Sequence, residues 1–170
     1  MAACVERLKL TGAPVVADEL ELSLLNSVLG MHSPTGRWAT YNTPSDGARF
    51  ASAHHIVFQA RSGSPELNCC SVNSPRGLGL LSEWAVMTDG SDLYLNAYGP
   101  SCFRLALRDG LSVQLRQETD YPVGGHIVLQ VLPSQPAEFE LHLRIPSWSQ
   151  ATRVTLNAVP VEGVEPGTYL

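Results

Sequence analysis

The chain has 170 residues, of which 44% are hydrophobic and 16% are charged, and its formal net charge at pH 7 is −5. This balance is typical of a folded globular protein of one ordinary domain or pieces of two, and it is unlike that of a disordered chain. The sequence contains no basic run and no apolar run near the roughly 20 residues of a membrane span, so neither nucleic acid nor a membrane is an expected partner.

Four cysteines, Cys4, Cys69, Cys70 and Cys102, are too few to indicate a disulfide scaffold. The simplest interpretation of each is a small buried apolar residue. Residues 1–4 lack the charged start and the apolar core of a signal peptide, which favours a cytoplasmic location. The compartment stays open for a longer parent protein, because its N-terminal region could carry a signal.

Two helices are predicted at the start of the chain. Over residues 1–13, Val5 and Leu8 give a short apolar stripe that ends at Gly12, a usual helix stop. Because so short a helix needs a partner in water, it is either the end of a longer helical domain or a frayed terminal helix. The clearer helix is 14–31, whose apolar residues recur every four positions and predict a facing helix. These residues are Val16, Leu20, Leu24 and Val28.

Residues 32–68 are predicted to be mostly irregular, and a connection of this length usually builds a site or a lid. Trp38 and Tyr41 could line a sugar-binding cleft, although core packing explains them at least as well. His54 and His55 are candidate metal ligands or substrate contacts. Since adjacent side chains normally point apart, the ligand role is the less favoured interpretation of this pair.

The cysteine pair Cys69–Cys70 lies just before a predicted helix at about residues 74–87. Ser74 is suited to the N-cap, and Pro75 is suited to the first helical position because its missing N–H would have no partner there. The positive end of the helix dipole would then favour thiolates over thiols. The spacing alone leaves three interpretations open: two ligands of a zinc ion that normally takes four, a nucleophile, or two inert buried thiols.

From residue 89 onward the apolar period changes from about four to two, which indicates β-strands. Short alternating segments, separated by clusters of Pro, Gly and Ser, predict an antiparallel sandwich. The predicted strands are 92–98, 102–107, 111–118, 125–132, 139–145 and 153–157. Polar residues at alternate positions are expected on a solvated sheet face. They are Arg104, Arg108, Gln114, Arg116, Glu138, Glu140, His142 and Arg144.

A set of motifs distributed over nearly the whole chain carries a family resemblance. The order C-C-x-x-N-x-x-R is formed by Cys69, Cys70, Asn73 and Arg76. The other motifs are the segments 10–12, 17–21 and 25–26 before the pair, and 93–98, 117–122, 143–148 and 154–157 after it. Together they resemble the β-L-arabinofuranosidase family, glycoside hydrolase family 127 and its relatives.

The resemblance implies an α+β fragment with two regions. Residues 1–88 would be the last helices of an (α/α)6 barrel, including the Cys-Cys loop, and residues 89–170 an antiparallel β-sandwich. Family members are retaining glycosidases in which a zinc-bound cysteine thiolate attacks the anomeric carbon and a glutamate protonates the leaving oxygen.

Carried over by position, the resemblance assigns roles to four residues. Cys69 would be the nucleophile and a zinc ligand, and Cys70 would be a second zinc ligand. Asn73 and Arg76 would support the ligands or anchor the helix. The expected substrate is an arabinose-containing oligosaccharide or glycoconjugate that loses a terminal L-arabinofuranose or a related sugar.

The chain lacks several residues of the family's site. The other two zinc ligands belong to an E-x-C motif upstream of Leu10-Thr11-Gly12, and the acid/base glutamate belongs farther upstream still. Cys4 has no glutamate two positions before it and is too close to Gly12. We therefore expect an incomplete zinc site, an inactive isolated chain, and a missing N-terminal barrel half as its partner. Ser71-Val72, where many relatives carry prolines, leaves the chemistry open.

A non-enzymatic interpretation competes with this one. A β-sandwich module for carbohydrate binding or domain packing would have a vestigial cysteine pair, and scattered aromatic residues would serve as stacking platforms. The candidate platforms are Trp38, Tyr94, Tyr98 and Trp148.

Overall fold

The computed structural model describes residues 1–40 and 69–170, and the predicted site residues Tyr41, His54 and His55 lie outside them. The first described segment is helical. Helices α1 (Ala2–Thr11) and α2 (Pro14–Leu22) are followed without a break by a π-helix (Ser23–Leu29). The second described segment begins with three short helices, α3 (Cys69–Asn73), α4 (Pro75–Gly79) and α5 (Leu81–Trp84).

The rest of the described chain forms short strands. In order they are β1 (Val86–Thr88), β2 (Leu93–Leu95), β3 (Ser101–Ala106), β4 (Ser112–Glu118), β5 (Val128–Pro133), β6 (Leu141–Ile145), β7 (Val154–Leu156), β8 (Val159–Val161) and β9 (Thr168–Tyr169). They make sheets of order β1-β2-β6-β9, β3-β4-β5 and β7-β8. The pairing is antiparallel except between β2 and β6, which run parallel. The protein is thus an α+β chain with mainly antiparallel sheets.

The helical region has its own apolar core. Val16, Leu20, Leu24 and Val28 are all buried, as their spacing predicts. They pack with Val5 and Leu8 of α1 and with Trp84 at the end of α5. The expectation of a facing helix is therefore confirmed. The sequence does not predict the widening of the second half of this helix from α to π, because its apolar spacing fits an ordinary α-helix equally well.

The strands pack around a second core, in which alternate residues of the central strand β4 face inward. Val113 and Leu115 are fully buried there, together with Leu93 and Leu95 of β2. The period-two pattern therefore identifies β4 and its inward face, and each of the six predicted strands overlaps an observed one, β2 to β7. The short strands β1, β8 and β9 were not predicted. No helix within residues 1–40 and 69–170 is long and apolar enough to cross a bilayer.

The predicted helix at 74–87 is instead a chain of short segments. Pro75 does occupy the first turn of α4, but Ser74 has helical φ and ψ and makes no side-chain capping bond. Ser74 therefore stands at the predicted N-cap position but does not cap the helix with its side chain, because the chain is already helical before it. Val86 and Met87, assigned to the helix, lie in strand β1.

Arg144 of β6 contradicts the prediction of a solvated face most clearly, since it is 0% exposed. Its guanidinium forms an ion pair with Asp18 of α2, and its Nε donates to the Asn96 backbone oxygen at 2.7 Å. Its Nη2 lies 3.1 Å from Glu21 Oε1, where it makes an ion pair but no hydrogen bond. A charge with these partners can remain buried, whereas an unpaired charge would be expelled or neutralised.

The same two carboxylates hold further groups of the β region. Glu21 accepts from the Tyr121 hydroxyl at 2.6 Å and from Trp148 Nε1 at 3.3 Å. Asp18 accepts from the backbone N–H of Ser147 at 3.2 Å. These bonds join α2 firmly to the β region at this point. Arg104 and Arg116, which were also predicted on the solvated face, are exposed as expected.

Gly77 marks the closest approach between α4 and the π-helix. A methyl group at this position would overlap the Val28 side chain. We expect Gly77→Ala to lower the free energy of unfolding by about 1–3 kcal/mol, the usual cost of overpacking. Urea denaturation would measure the loss. Gly79→Ala is the matched control, because nothing lies within 4 Å of its added methyl. A neutral Gly77→Ala would contradict the described packing.

Replacing Arg144 tests the buried ion pairs. Arg144→Met keeps the length of the side chain but leaves Asp18 and Glu21 buried without a cation. We expect a loss of about 3–5 kcal/mol in the free energy of unfolding, measured by urea denaturation. Adding Asp18→Asn and Glu21→Gln should recover some of it, since neutral amides cost less to bury.

The control for this variant is Arg116→Met. Arg116 pairs with Glu118 at 3.2 Å on the surface, with about half of each side chain exposed. Its loss should cost less than about 1 kcal/mol. Equal effects of Arg144→Met and Arg116→Met would show that the buried pairs contribute no more than a surface pair.

Candidate functional site

The cysteine pair forms the first two positions of α3. The two Sγ atoms lie 3.9 Å apart, and both residues are half-buried. Two bonds close the short helix around them. Asn73 Nδ2 donates to the Cys69 carbonyl oxygen at 2.7 Å, and the Ser74 N–H donates to the Cys70 carbonyl oxygen at 2.8 Å. Asn73 of the C-C-x-x-N-x-x-R motif is thus a backbone anchor of the cysteine-bearing turn.

The electrostatics of the pair differ from the expectation. The pKa of the Cys70 thiol lies above its ordinary value, first because burial penalises the thiolate and then because Cys69 is hydrogen-bonded to it and beside it. The predicted preference for thiolate is therefore wrong for Cys70 in the chain by itself. The physical reason is that burial and the neighbouring Cys69 both disfavour the charged form of this thiol.

The geometry of the two sulfurs fits a zinc ion. Two thiolates at about 2.3 Å from a tetrahedral zinc stand about 3.8 Å apart, and the observed separation is 3.9 Å. In the described residues of the chain, no third Cys, His, Asp or Glu ligand atom joins the two sulfurs in a metal-sized group. The described residues therefore offer two sulfur ligand atoms at this place and no third ligand.

A different group of ligand-type atoms lies at the edge of the β region. Asp92, Glu140 and His142 bring their ligand atoms within 4.8 Å of one another. Their own contacts account for the arrangement. Asp92 Oδ1 accepts from the Glu140 backbone N–H at 2.9 Å, Glu140 lies 3.3 Å from His142 Nε2, and Tyr94 stacks on the imidazole. We do not include this group in the candidate site.

A cavity of about 400 Å³ lies beside the pair and is lined by Cys70, Asn73 and Arg76. Three of the four motif residues therefore line one cavity, and Cys69 is not among its lining residues. Met1 and Ala2, at the start of α1, line the same cavity. The N-terminal end of α1 is thus close to the cysteine-bearing helix.

The predicted aromatic residues that the structure describes do not gather at one place. Trp38 is half-buried, and the next residue, Ala39, donates its N–H to Ser71 Oγ at 3.0 Å, which places the Trp38 segment next to the cysteine helix. The Tyr98 hydroxyl donates to the Arg144 backbone oxygen at 2.5 Å, so this side chain contacts β6 and does not form a stacking platform. Only Trp148 of the four candidates is mainly exposed, at 55%.

The sequence did not single out His32 or Ser71 as a hydrogen-bonding partner in this region, and it predicted a capping bond for Ser74 in place of the contact that its side chain makes. Ser74 Oγ lies 3.1 Å from His32 Nε2, and His32 Nδ1 contacts the Val28 carbonyl oxygen. Single serines and histidines give no signal of their own in a sequence. The order C-C-S-x-x-S was visible, but its partners 32 and 42 positions away were not.

Comparisons with known proteins agree on the class of this chain. Residues 92–170 match the family model described as "Beta-L-arabinofuranosidase, GH127 middle domain". A solved structure titled "Glycoside hydrolase" is 28% identical, with a TM-score of 0.76, and the match covers 96% of this chain and 27% of that one. No curated protein matches the chain.

Two further solved structures carry the family name. A GH127 β-L-arabinofuranosidase from Geobacillus stearothermophilus T6 is 25% identical over 96% of this chain and 27% of its own, with a TM-score of 0.69. A GH127 β-arabinofuranosidase is 24% identical, with a TM-score of 0.76. The match covers 98% of this chain and 27% of that one, and it shows a shared fold.

The fold and these matches show that the chain is similar to glycoside hydrolases. Within that class the similarity is to family GH127, as the motifs implied. The chain spans about a quarter of the length of the solved structures that it matches, 27% in each case.

Proposed function

We propose that this chain belongs to a retaining glycoside hydrolase that releases a terminal L-arabinofuranose or a related sugar, with Cys69 as its nucleophile. The observation that carries the proposal is the pair of half-buried sulfurs 3.9 Å apart, on the turn that Asn73 closes, in a chain similar to family GH127. The separation is that of two ligands on one zinc ion.

The proposed role of Cys69 is to attack the anomeric carbon of the sugar. The sulfur would form a thioglycosidic bond while the leaving oxygen takes a proton from an acid, and water would then break that bond with retention. Zinc, when bound, would keep the thiols deprotonated near neutral pH, against the burial that raises the pKa of Cys70 and favours its neutral form. Cys70 would act as a ligand only.

Asn73 and Arg76 would serve this site without touching the reacting atoms. Asn73 fixes the Cys69 carbonyl and hence the start of the helix. Arg76 lies on the next turn, is exposed, and lines the cavity beside Cys70. A guanidinium there would favour the negative charge of thiolate ligands.

The remaining ligands and the acid/base glutamate would come from residues outside this chain. Met1 and Ala2 line the cavity beside Cys70, which supports a position for the missing E-x-C motif shortly ahead of α1 in a longer parent. The isolated 170 residues would then be inactive. The two thiolates would bind zinc weakly, with positions left open to water.

Metal binding by the purified chain tests the half-site. We expect zinc to be retained at less than one equivalent and to be removed by a chelator such as EDTA, because a site with only two protein ligands binds zinc weakly. Cys69→Ser and Cys70→Ser should each abolish the retained zinc. Cys4→Ser and Cys102→Ser are matched controls, since both are free thiols outside the pair. Zinc that survives the chelator, or that is lost equally in the controls, would contradict the proposal.

Hydrolysis of a β-L-arabinofuranosyl substrate tests the catalytic role. The 170-residue chain should show no release of sugar above the buffer rate. In a longer parent that contains an upstream E-x-C and the acid/base glutamate, Cys69→Ala should abolish turnover, while Cys102→Ala should leave it unchanged. Activity of the short chain itself, lost in Cys69→Ala, would show that local residues complete the site.

A further inference from the structure

The hairpin 31–40 follows the π-helix and lies against α3. The Thr40 N–H donates to the Met31 carbonyl oxygen at 2.8 Å, and His32 and Ala39 pair between them as an antiparallel bridge. The two arms of the hairpin are therefore held in register. The contacts that His32 and Ala39 make are therefore contacts of the same hairpin.

This hairpin holds the cysteine helix at two points. Ser71 Oγ accepts the Ala39 N–H at 3.0 Å, and Ser74 Oγ lies 3.1 Å from His32 Nε2. Ser71 lies in α3, and Ser74 follows α3 directly with helical φ and ψ, so the two serines lie on the same face of one helical turn. Both contacts therefore act on one side of the Cys69–Ser74 turn and fix its rotation about the helix axis.

The histidine contact continues to the cysteines. His32 Nδ1 donates to the Val28 carbonyl oxygen, which leaves the Nε2 lone pair to accept the hydroxyl proton of Ser74. Ser74 is buried, and its backbone N–H donates to the Cys70 carbonyl oxygen at 2.8 Å. A hydrogen-bonded path thus runs from the π-helix to the carbonyl of the second cysteine.

We propose that His32, acting through Ser74, is a positioning residue for the Cys69–Cys70 pair. This inference rests on the proposed function, in which both sulfurs bind one metal ion. Two ligands bind a soft ion well only when their separation and direction are set in advance, and removal of an outer partner of metal ligands typically lowers affinity about 10- to 100-fold. His32 has no direct contact with the sulfurs, so it acts by holding the helix that carries them.

Cadmium binding gives a spectroscopic test, because sulfur-to-cadmium charge transfer reports thiolate ligation directly. We expect Ser74→Ala and His32→Asn each to weaken cadmium affinity at least about tenfold. The double variant should be no weaker than the worse single one, since both remove the same bond. His32→Gln should restore most of the affinity, because its terminal amide can accept from Ser74 at the position of Nε2.

The control for cadmium binding is Ser82→Ala. It removes a serine bond to the Gly79 carbonyl oxygen at 3.0 Å on α5, which is not bonded to the cysteine pair. All titrations would be made at a temperature where circular dichroism shows each variant folded. A merely structural role would lower the melting temperature of Ser74→Ala and His32→Asn and leave cadmium affinity unchanged, and that result would overturn the inference.

Alkylation of the metal-free chain by iodoacetamide, measured for each cysteine by mass spectrometry, separates this inference from the proposed function. Loosening α3 should raise the rate at Cys70 several-fold in Ser74→Ala and His32→Asn, while the rate at Cys102 stays constant. If the variants are alkylated faster but the unmodified chain shows no cadmium absorption, the proposed metal site is refuted and the positioning role of His32 is supported. If the unmodified chain binds cadmium and the variants show unchanged affinity and unchanged alkylation, the positioning role alone is refuted.

Discussion

The burial of one guanidinium decides how the helical and the β region of this protein meet. Arg144 reaches from β6 to the carboxylates of Asp18 and Glu21 on α2, and it is closed from solvent on all sides. A charge so placed is tolerated only with its partners in register, because desolvation would otherwise exceed the attraction. The relative position of α2 and β6 is therefore specified by chemistry as well as by shape.

The network around Arg144 also includes the hydroxyl groups of two tyrosines from the β region. Tyr98 and Tyr121 bring their hydroxyls to it, and burial raises the pKa of Tyr98 to about 12. These tyrosines are hydrogen-bond donors that stay neutral at any physiological pH. These two side chains therefore belong to the junction between α2 and the β region, and Tyr98 does not serve as an exposed sugar platform.

Apolar spacing is sufficient to predict the two helices of the first 31 residues and six of the strands, β2 to β7, but not the short strands β1, β8 and β9. It fails at Arg144 because alternation alone cannot say which polar residue finds a buried partner, here 126 positions earlier in the chain. It also fails at Ser74, where a residue type suited to capping is used instead to bond a distant histidine.

The candidate site is likewise predictable from the sequence only in part. The cysteine pair, Asn73 and Arg76 are identified from a local motif, and the structure places three of them around one cavity. The hairpin that holds α3 could not be predicted, because hydrogen bonds between segments far apart in the sequence leave no periodic trace. Trp38 was singled out for its ring, yet it is the neighbouring backbone N–H of Ala39 that reaches the site.

The π-helix at Ser23–Leu29 holds about one residue more per turn than an α-helix, and such insertions are frequent near functional sites. Deletion of a single residue inside it would let the segment return to α-helical winding, and the residues that follow would keep nearly their present orientation. Deletion of a residue from the α-helical α2 could not be absorbed in this way and would rotate everything that follows by about 100° about the helix axis. His32 would then leave Ser74. The winding of this helix therefore sets the orientation of the hairpin that holds α3.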